Sequence, residues 1–358
     1  MFRAVQKADA AVLLGGSLSV LALSSWWLRR LRPKQHPLDL HEGDCSCCTQ
    51  AGSTKLCERG VPGRLHYNYT PCSEGVVPVT CKDDGKPIRV LFIHGMWHGS
   101  WFWRRLQDML AAAGFGSFAL HLRSGRSQRT RSHLDDIEGT LEDLAKLHGE
   151  SHIVVVGHSQ GGILSQYLVR DASAVAERFA GAVFAGTVPA SQFWELVKMM
   201  PVAMQLVKDM EIISIFHGLG LVGTAYYQLT GSLWSSWCMR RIFFLPSGPQ
   251  NTTVTAGGMD EYVQRTVMEA RADGLPTYAH YFDRAHSFAK INRKPVLILA
   301  AERDIIYPPP TMNPIFLKQF PKADCIVAKG QAHCFADAGW EDSFGQALVN
   351  WLSQHFKP

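Results

Sequence analysis

The chain has no dense stripe of lysine and arginine in its body, and charged residues are few. They make up 19% of the 358 residues, whereas hydrophobic residues make up 46%. This balance excludes an intrinsically disordered chain and favours a globular protein with a large core. Because the net charge of +5 is not gathered on one stretch, the sequence predicts no nucleic-acid partner. The mild positive excess favours an anionic membrane surface or acidic substrates.

The chain also lacks the paired C-x-x-C spacing of zinc-binding modules, although it has nine cysteines. The sequence therefore predicts no metal site. Three of the cysteines lie together at Cys45, Cys47 and Cys48. This cluster is compatible with acylation beside a membrane, with metal binding, or with disulfides in a lumen.

Acidic residues are nearly absent from residues 1–34, where Asp9 is the only one. Residues 10–28 carry no charge and are followed at once by a basic cluster. A segment of this length spans the hydrocarbon layer of a bilayer as a helix, so we predict a single membrane anchor with the catalytic domain on the cytosolic side. A cleaved targeting sequence for an organelle is the alternative. The glycosylation acceptor patterns at Asn68 and Asn251 are relevant only to a lumenal chain.

Residues 35–62 are polar and have no period, which predicts a cysteine-rich linker. Residues 63–358 are predicted to form one α/β domain, because short apolar runs alternate with segments of helical spacing. The predicted strands cover residues 65–69, 88–93, 118–122, 154–156, 181–185, 294–299 and 325–328. Residues 76–81 are predicted to pair with the following segment across a turn at 83–85.

Residues 189–286 break this alternation with a segment rich in methionine and large aromatic residues. Its place between two predicted sheet strands indicates an insertion over the strand ends. We interpret it as a helical cap that encloses an apolar pocket, with an ordinary helical subdomain as the alternative.

The run VVVGHSQGG at 154–162 contains a strand, a sharp turn and the start of a helix. It places Ser159 within a G-x-S-x-G turn, where a serine hydroxyl is held above the sheet edge and near a helix N-terminus. This pattern predicts a nucleophilic serine. A hydroxyl in an ordinary glycine-rich turn is the alternative.

A nucleophilic serine requires a base and an orienting acid. Asp304 follows one predicted strand end and His333 follows another, so both are expected at the same edge of the sheet as Ser159. Glu302 and Asp337 are the alternatives for the acid. No metal or organic cofactor is needed for this chemistry.

These motifs together resemble the α/β-hydrolase superfamily over roughly residues 65–356. The matching stretches are HGMWHGSW at 94–101, GHSQGG at 157–162, AERDIIYPP at 301–309 and GQAH at 330–333. The resemblance implies an α/β-hydrolase fold, a mostly parallel sheet with helices on both faces and a helical cap insertion. The order Ser, Asp, His is the one found in this superfamily.

The stretch at 94–101 is similar to the HG-x-x-HG-x-W loop of plant-type esterases and hydroxynitrile lyases. That similarity implies that the backbone N–H groups of Met96 and Gln160 form the oxyanion hole, and that Trp97 and Trp101 line the entrance. His94 and His98 are expected to hold this loop by hydrogen bonds. The stretch at 121–127 departs from the family's usual D-x-R-G-x-G-x-S turn and begins a cluster of arginines, interpreted as a solvated loop or a docking surface for anionic head groups.

The sequence thus predicts a membrane-associated serine esterase or lipase that acts on a lipid-like or bulky apolar ester. An acyltransferase, a thioesterase or a lyase on the same site is one alternative. A non-catalytic binding protein with the same fold is another.

Overall fold

The computed structural model describes residues 65–96, 98–122, 130–190, 287–304, 306–335 and 339–357, and side chains throughout these ranges except at 130–132. The predicted anchor at 1–34 and the predicted linker at 35–62 lie outside the described residues. The predicted cap at 189–286 also lies outside them, apart from its first two residues.

The described part of the chain contains one sheet of seven strands in the order β1-β3-β2-β4-β5-β6-β7. Their bounds are β1 His66–Thr70, β2 Ile88–Ile93, β3 Gly116–His121, β4 His152–His158, β5 Phe179–Ala185, β6 Val296–Ala301 and β7 Asp324–Ala328. The edge strand β1 pairs antiparallel with β3. Every other pairing in this sheet is parallel.

Five α-helices accompany these strands in the described ranges. They are α1 Arg104–Ala112, α2 Thr130–His148, α3 Gln160–Val169, α4 Pro309–Gln319 and α5 Gln346–Phe356. Short 3-10 helices cover Ser100–Trp103, Ala176–Arg178 and Ile291–Arg293, and a π-helical turn at Glu341–Gly345 leads into α5.

The core divides into one apolar cluster on each face of the sheet, because successive residues of a strand point to opposite faces. Along β2, Val90 and Phe92 belong to the cluster that α1 and α5 cover. Leu91 and Ile93 belong to the other cluster, which α2, α3 and α4 cover. The central strands are buried on both faces, so they read as continuous apolar runs in the sequence. These features confirm the predicted fold class.

The predicted pairing of residues 76–81 is wrong in extent. It is reduced to a single bridge between Thr80 and Pro87. Val77 is 84% exposed, and Pro78 and Pro87 have no N–H to donate to a ladder, which limits the pairing.

The helices of the described ranges do not include one with both the length and the apolar character needed to span a membrane. The predicted span at 10–28 lies outside those ranges.

The topology brings the carboxyl ends of β4, β5, β6 and β7 to one edge of the sheet. Ser159 directly follows β4, Asp304 follows β6, and His333 follows β7. In open parallel sheets this edge is where ligands bind.

Candidate functional site

Ser159 occupies the turn between β4 and α3 in a conformation that is rare for a residue with a side chain. Its φ of 52° and ψ of −119° lie in the left-handed half of the map. The surrounding structure holds this conformation. The Ser159 N–H donates to Ala185 O at 3.0 Å, and Ser159 O accepts from Thr187 Oγ1 at 2.6 Å.

Glycines surround the turn because there is no room for a Cβ. A Cβ on Gly157 would collide with the backbone of Gly161, and one on Gly161 would collide with the Ile93 carbonyl. A Cβ on Gly95 would lie 2.9 Å from the Ser159 Cβ. The close approach at Gly95 brings the 94–101 loop against the serine.

Asp304 and His333 form a buried pair. His333 Nδ1 lies 2.8 Å from Asp304 Oδ2, with side-chain exposures of 1% and 0%. The other carboxylate oxygen, Oδ1, accepts from the backbone N–H groups of Ile306 and Tyr307 at 2.9 Å each. With both oxygens engaged, the carboxylate is held in one orientation and fixes the tautomer that leaves His333 Nε2 as an acceptor.

The alternative acids are not brought to His333 in the described residues. Glu302 is exposed and accepts instead from the Gly330 N–H at 2.8 Å. Asp337 lies outside the described residues. Of the three candidate acids, the structure therefore brings Asp304 to the histidine.

His158 supports the loop that carries His333. It is fully buried, and its Nε2 donates to His333 O at 2.8 Å. Burial, together with the neighbouring His333 and His98, lowers the pKa of His158 well below its ordinary value. The neutral ring therefore serves as a fixed donor.

His94 and His98 hold the 94–101 loop, as expected from the sequence. His94 Nδ1 donates to Gly95 O at 2.7 Å, and its Nε2 accepts from the Leu122 N–H at 3.0 Å. His98 Nδ1 donates to Met96 O at 2.7 Å. This arrangement requires neutral rings with defined tautomers.

A cysteine joins the loop of His333 to the loop of Met96. Cys334 is buried, and its Sγ lies 3.4 Å from His98 Nε2. Burial lowers the pKa of His98 to about 4, with His333 acting in the same direction, so the neutral Nε2 accepts from the thiol. The contact links residues 236 positions apart.

The candidate oxyanion donors lie on either side of the turn. Gln160 is the first residue of α3, at the positive end of the helix dipole. Met96 follows Gly95, the residue packed against Ser159. Their predicted roles as oxyanion donors depend on their backbone N–H groups.

Of the two tryptophans predicted to line the entrance, the structure describes Trp101 but not Trp97. Trp101 is buried, and its ring stacks on that of His98 with a centroid distance of 5.9 Å. Trp97 lies outside the described residues. The arginine cluster that begins at 121–127 also lies outside them, apart from the backbone of Arg131.

Sequence reasoning missed His158, Thr187 and Cys334. The signal for Thr187 was its place just after β5, at the same sheet edge as Ser159. His158 and Cys334 gave a weaker signal, since each is an ordinary neighbour of a predicted catalytic residue in the chain.

A family model described as "alpha/beta hydrolase fold" matches residues 88–338 of the chain. The matched region extends from β2 to just beyond the loop of His333, so it contains Ser159, Asp304 and His333.

Curated relatives match over a shorter region. Pheophorbidase from Raphanus sativus is 34% identical over 84 residues, which is 22% of this chain and 32% of that protein. Methylesterase 3 from Arabidopsis thaliana is 32% identical over 88 residues, covering 23% and 33% respectively. The chain thus spans about a third of the length of these relatives.

Solved structures match over most of the chain at low identity. The esterase from Thermogutta terrifontis has a TM-score of 0.51 and 17% identity, covering 81% of this chain and 93% of that one. The esterase RhEst1 from Rhodococcus sp. ECU1013 has a TM-score of 0.50 and 18% identity, covering 81% and 94%. These likenesses show the fold. Together with the family model, which covers more than half of the sequence, they establish that the chain belongs to the alpha/beta hydrolase fold family.

Proposed function

We propose that the chain is a serine hydrolase that cleaves carboxylic esters, with Ser159 as nucleophile, His333 as base and Asp304 as orienting acid. The observation that carries the proposal is the buried His333–Asp304 hydrogen bond of 2.8 Å at the sheet edge that also holds Ser159. A buried histidine and carboxylate oriented in this way are what a serine nucleophile requires.

In the first half-reaction, Ser159 Oγ attacks the ester carbonyl while His333 Nε2 takes its proton. Asp304 stabilises the imidazolium that forms. When the tetrahedral intermediate collapses, His333 returns the proton to the departing alcohol, leaving an acyl-serine. In the second half-reaction, His333 activates water, which attacks the acyl group and releases the acid. Apart from the ester and water, these steps use only side chains and backbone of this chain.

The oxyanion of the tetrahedral intermediate is proposed to accept hydrogen bonds from the N–H groups of Met96 and Gln160. Gln160 contributes the helix N-terminus. The Met96 N–H belongs to the peptide whose carbonyl, Gly95 O, accepts from His94, and the carbonyl of Met96 itself is held by His98, which in turn contacts Cys334. We propose that this chain of contacts keeps the Met96 N–H aligned. Trp97 and Trp101 are proposed to line the approach to the site.

The proposed substrate is a lipid-like or bulky apolar ester. The methionine-rich and aromatic composition of residues 189–286 supports this, as expected for a cap over an apolar pocket. Several matched relatives are named methylesterases. A methyl ester of a bulky apolar acid is therefore a second form of substrate to test.

The test is hydrolysis of p-nitrophenyl esters from acetate to palmitate in detergent, by the wild type and by Ser159→Ala. Activity that rises with acyl length and disappears in the variant supports both the mechanism and the apolar substrate. Activity that depends on Ser159 but is confined to acetate contradicts the lipid-like substrate and leaves the mechanism intact.

Other chemistries on the same site are separated by product analysis. An acyltransferase would form a new ester when an acceptor alcohol is added in water, and a thioesterase would prefer acyl thioesters. A lyase would release a carbonyl compound from a hydroxynitrile. A binding protein would show no turnover and no labelling by a fluorophosphonate.

We propose in addition that residues 1–34 attach the enzyme to a membrane and leave the catalytic domain in the cytosol, as their uncharged stretch and basic flank suggest. Extraction of membranes with alkaline carbonate and N-terminal sequencing of the mature protein test this. Release by carbonate or a mature N-terminus beyond residue 28 would contradict it.

A further inference from the structure

Three side chains with different metal-binding atoms meet at the sheet edge opposite the catalytic residues. They are Cys81, Asp84 and His152, and their ligand atoms all lie within 4.8 Å of one another. His152 Nε2 is 3.0 and 2.9 Å from the two carboxylate oxygens of Asp84. His152 is the first residue of β4, whose other end leads to Ser159.

Backbone hydrogen bonds fix the turn that carries two of these residues. The Cys81 N–H donates to Lys86 O at 2.8 Å, and the Gly85 N–H donates to Cys81 O at 2.9 Å. The His152 N–H donates to Pro87 O at 2.9 Å, which ties the start of β4 to the same turn. Because the backbone is already positioned, a ligand that bridges the three side chains has to order only their χ angles.

The local charge is suited to a divalent cation. A cysteine thiolate and the Asp84 carboxylate would neutralise two positive charges, and a neutral His152 would add a nitrogen ligand. The nearby cation, Lys86, is 3.8 Å from Asp84 Oδ2 but only 2.6 Å from Glu150 Oε2. The ammonium group is therefore directed mainly to Glu150 and away from the position between the three ligands.

We propose that Cys81 Sγ, an oxygen of Asp84 and His152 Nε2 bind a zinc-class divalent cation, with water as the fourth ligand. One sulfur, one nitrogen and one oxygen match the ligand preferences and tetrahedral geometry of zinc. Calcium and magnesium are disfavoured because they take six or more oxygen ligands. Binding replaces the His152–Asp84 hydrogen bond with two metal bonds. The neutral His152 ring then carries its proton on Nδ1 instead of Nε2, and the thiol proton of Cys81 is released to solvent.

The site joins the 81–86 turn to the first residue of β4. Its expected effect is on stability, because a cation that binds only the folded chain raises the free energy of unfolding by mass action. It lies at the far end of β4 from Ser159, so ester hydrolysis is expected to be unchanged. No local pattern indicates this site, since Asp84 and His152 are 68 positions apart and no C-x-x-C pair is involved.

The test is titration of the full-length, reduced and metal-stripped protein with Co²⁺, which reports thiolate ligation through a charge-transfer band in the near ultraviolet. We compare the wild type with Cys81→Ser, His152→Ala and the control Cys72→Ser, since Cys72 is a free and half-buried cysteine like Cys81. We expect the wild type and Cys72→Ser to show the band. Cys81→Ser should lose it, and His152→Ala should bind at least about tenfold more weakly.

A second measurement guards against misfolded variants. Far-ultraviolet circular dichroism should be the same for all four proteins, and Zn²⁺ should raise the melting temperature of the wild type and Cys72→Ser but not of Cys81→Ser. A band of equal strength in Cys81→Ser would assign the cation to other cysteines and overturn the proposal. The absence of any band in the wild type would also overturn it.

Discussion

Two histidine–aspartate pairs lie at opposite edges of the same sheet. The distance between the ring nitrogen and the carboxylate oxygen is nearly the same in both. His333 and Asp304 are 2.8 Å apart with side-chain exposures of 1% and 0%. His152 and Asp84 are 2.9 Å apart with exposures of 32% and 36%. The chemistry is the same in both, so burial and neighbours decide what each pair is able to do.

The buried pair is surrounded by groups that fix its geometry. Asp304 accepts from two backbone N–H groups, and the carbonyl of His333 accepts from His158. In such a site a charge that develops on the histidine is neither screened by salt nor hydrated by water, so the carboxylate acts on it at full strength. The exposed pair is screened, and its side chains remain available to other ligands.

The largest expected difference between the pairs is in catalysis. Asp304→Asn should lower kcat for p-nitrophenyl ester hydrolysis by about 10⁴-fold, because the amide removes the charge that stabilises the imidazolium. Asp84→Asn is the matched control and should leave kcat within about twofold, since it lies at the opposite edge. Retention of activity within about tenfold by Asp304→Asn would mean that another acid serves His333.

The next prediction concerns the loss of folding stability at low pH, which we attribute to His98 in the loop beside the buried pair. The folded-state pKa of His98 is about 4, below the ordinary value of 6.5. Between these pH values the unfolded chain binds more protons than the folded one, so the contribution of His98 to stability is complete above pH 6.5 and falls as the pH drops toward 4. The full loss corresponds to about 3 kcal/mol.

His98→Gln keeps a donor for Met96 and an acceptor for Cys334 but does not titrate. We therefore expect urea unfolding to show a smaller loss of stability on acidification in this variant than in the wild type. His355→Gln, at a partly exposed histidine beside Asp324, is the control. Equal losses in His98→Gln and the wild type would show that His98 is not the source.

A smaller effect is expected from the contact between Cys334 and His98, which joins the loop of His333 to the loop of Met96. Cys334→Ala removes the thiol donor to His98 and should lower kcat about fivefold with KM unchanged, as expected for the loss of one hydrogen bond that positions an oxyanion donor. Cys334→Ser should recover part of the activity, because a hydroxyl also donates. Cys325→Ala, at an exposed cysteine, should have no effect. A change confined to KM would contradict the positioning role.

The smallest effect is expected for the exposed pair in metal-free protein. A double-mutant cycle over Asp84 and His152 should give only a small coupling free energy, which decreases with added salt. Urea unfolding of the four proteins in the presence of a chelator measures it. A large coupling free energy that does not change with added salt would contradict the difference proposed between the two pairs.

The sequence predicted the elements that depend on local pattern. All seven predicted strands correspond to observed strands within two residues at each end, because each is a run of apolar or β-branched residues. The predicted run at 154–156 is the centre of the longer β4. The glycines around Ser159 identified the turn, and positions after strand ends identified Asp304 and His333. These features follow from the chain itself.

The features that were missed depend on contacts between distant segments. His158 meets the carbonyl of a residue 175 positions away, and Cys334 meets His98 across 236 positions. No local pattern encodes these distances. The pairing predicted for 76–81 rested on the turn signal at 83–85, and Pro78 and Pro87, which cannot donate to a ladder, limit it to one bridge.

The most direct test of the central claim is stoichiometric labelling with a fluorophosphonate, measured by intact mass beside ester turnover, for the wild type, Ser159→Ala and the exposed-site control Ser73→Ala. We predict one label per chain in the wild type and in Ser73→Ala. Ser159→Ala should take up no label and lose about 10⁴-fold or more in activity. A Ser159→Ala protein that is labelled and hydrolyses esters at the wild-type rate would contradict the account.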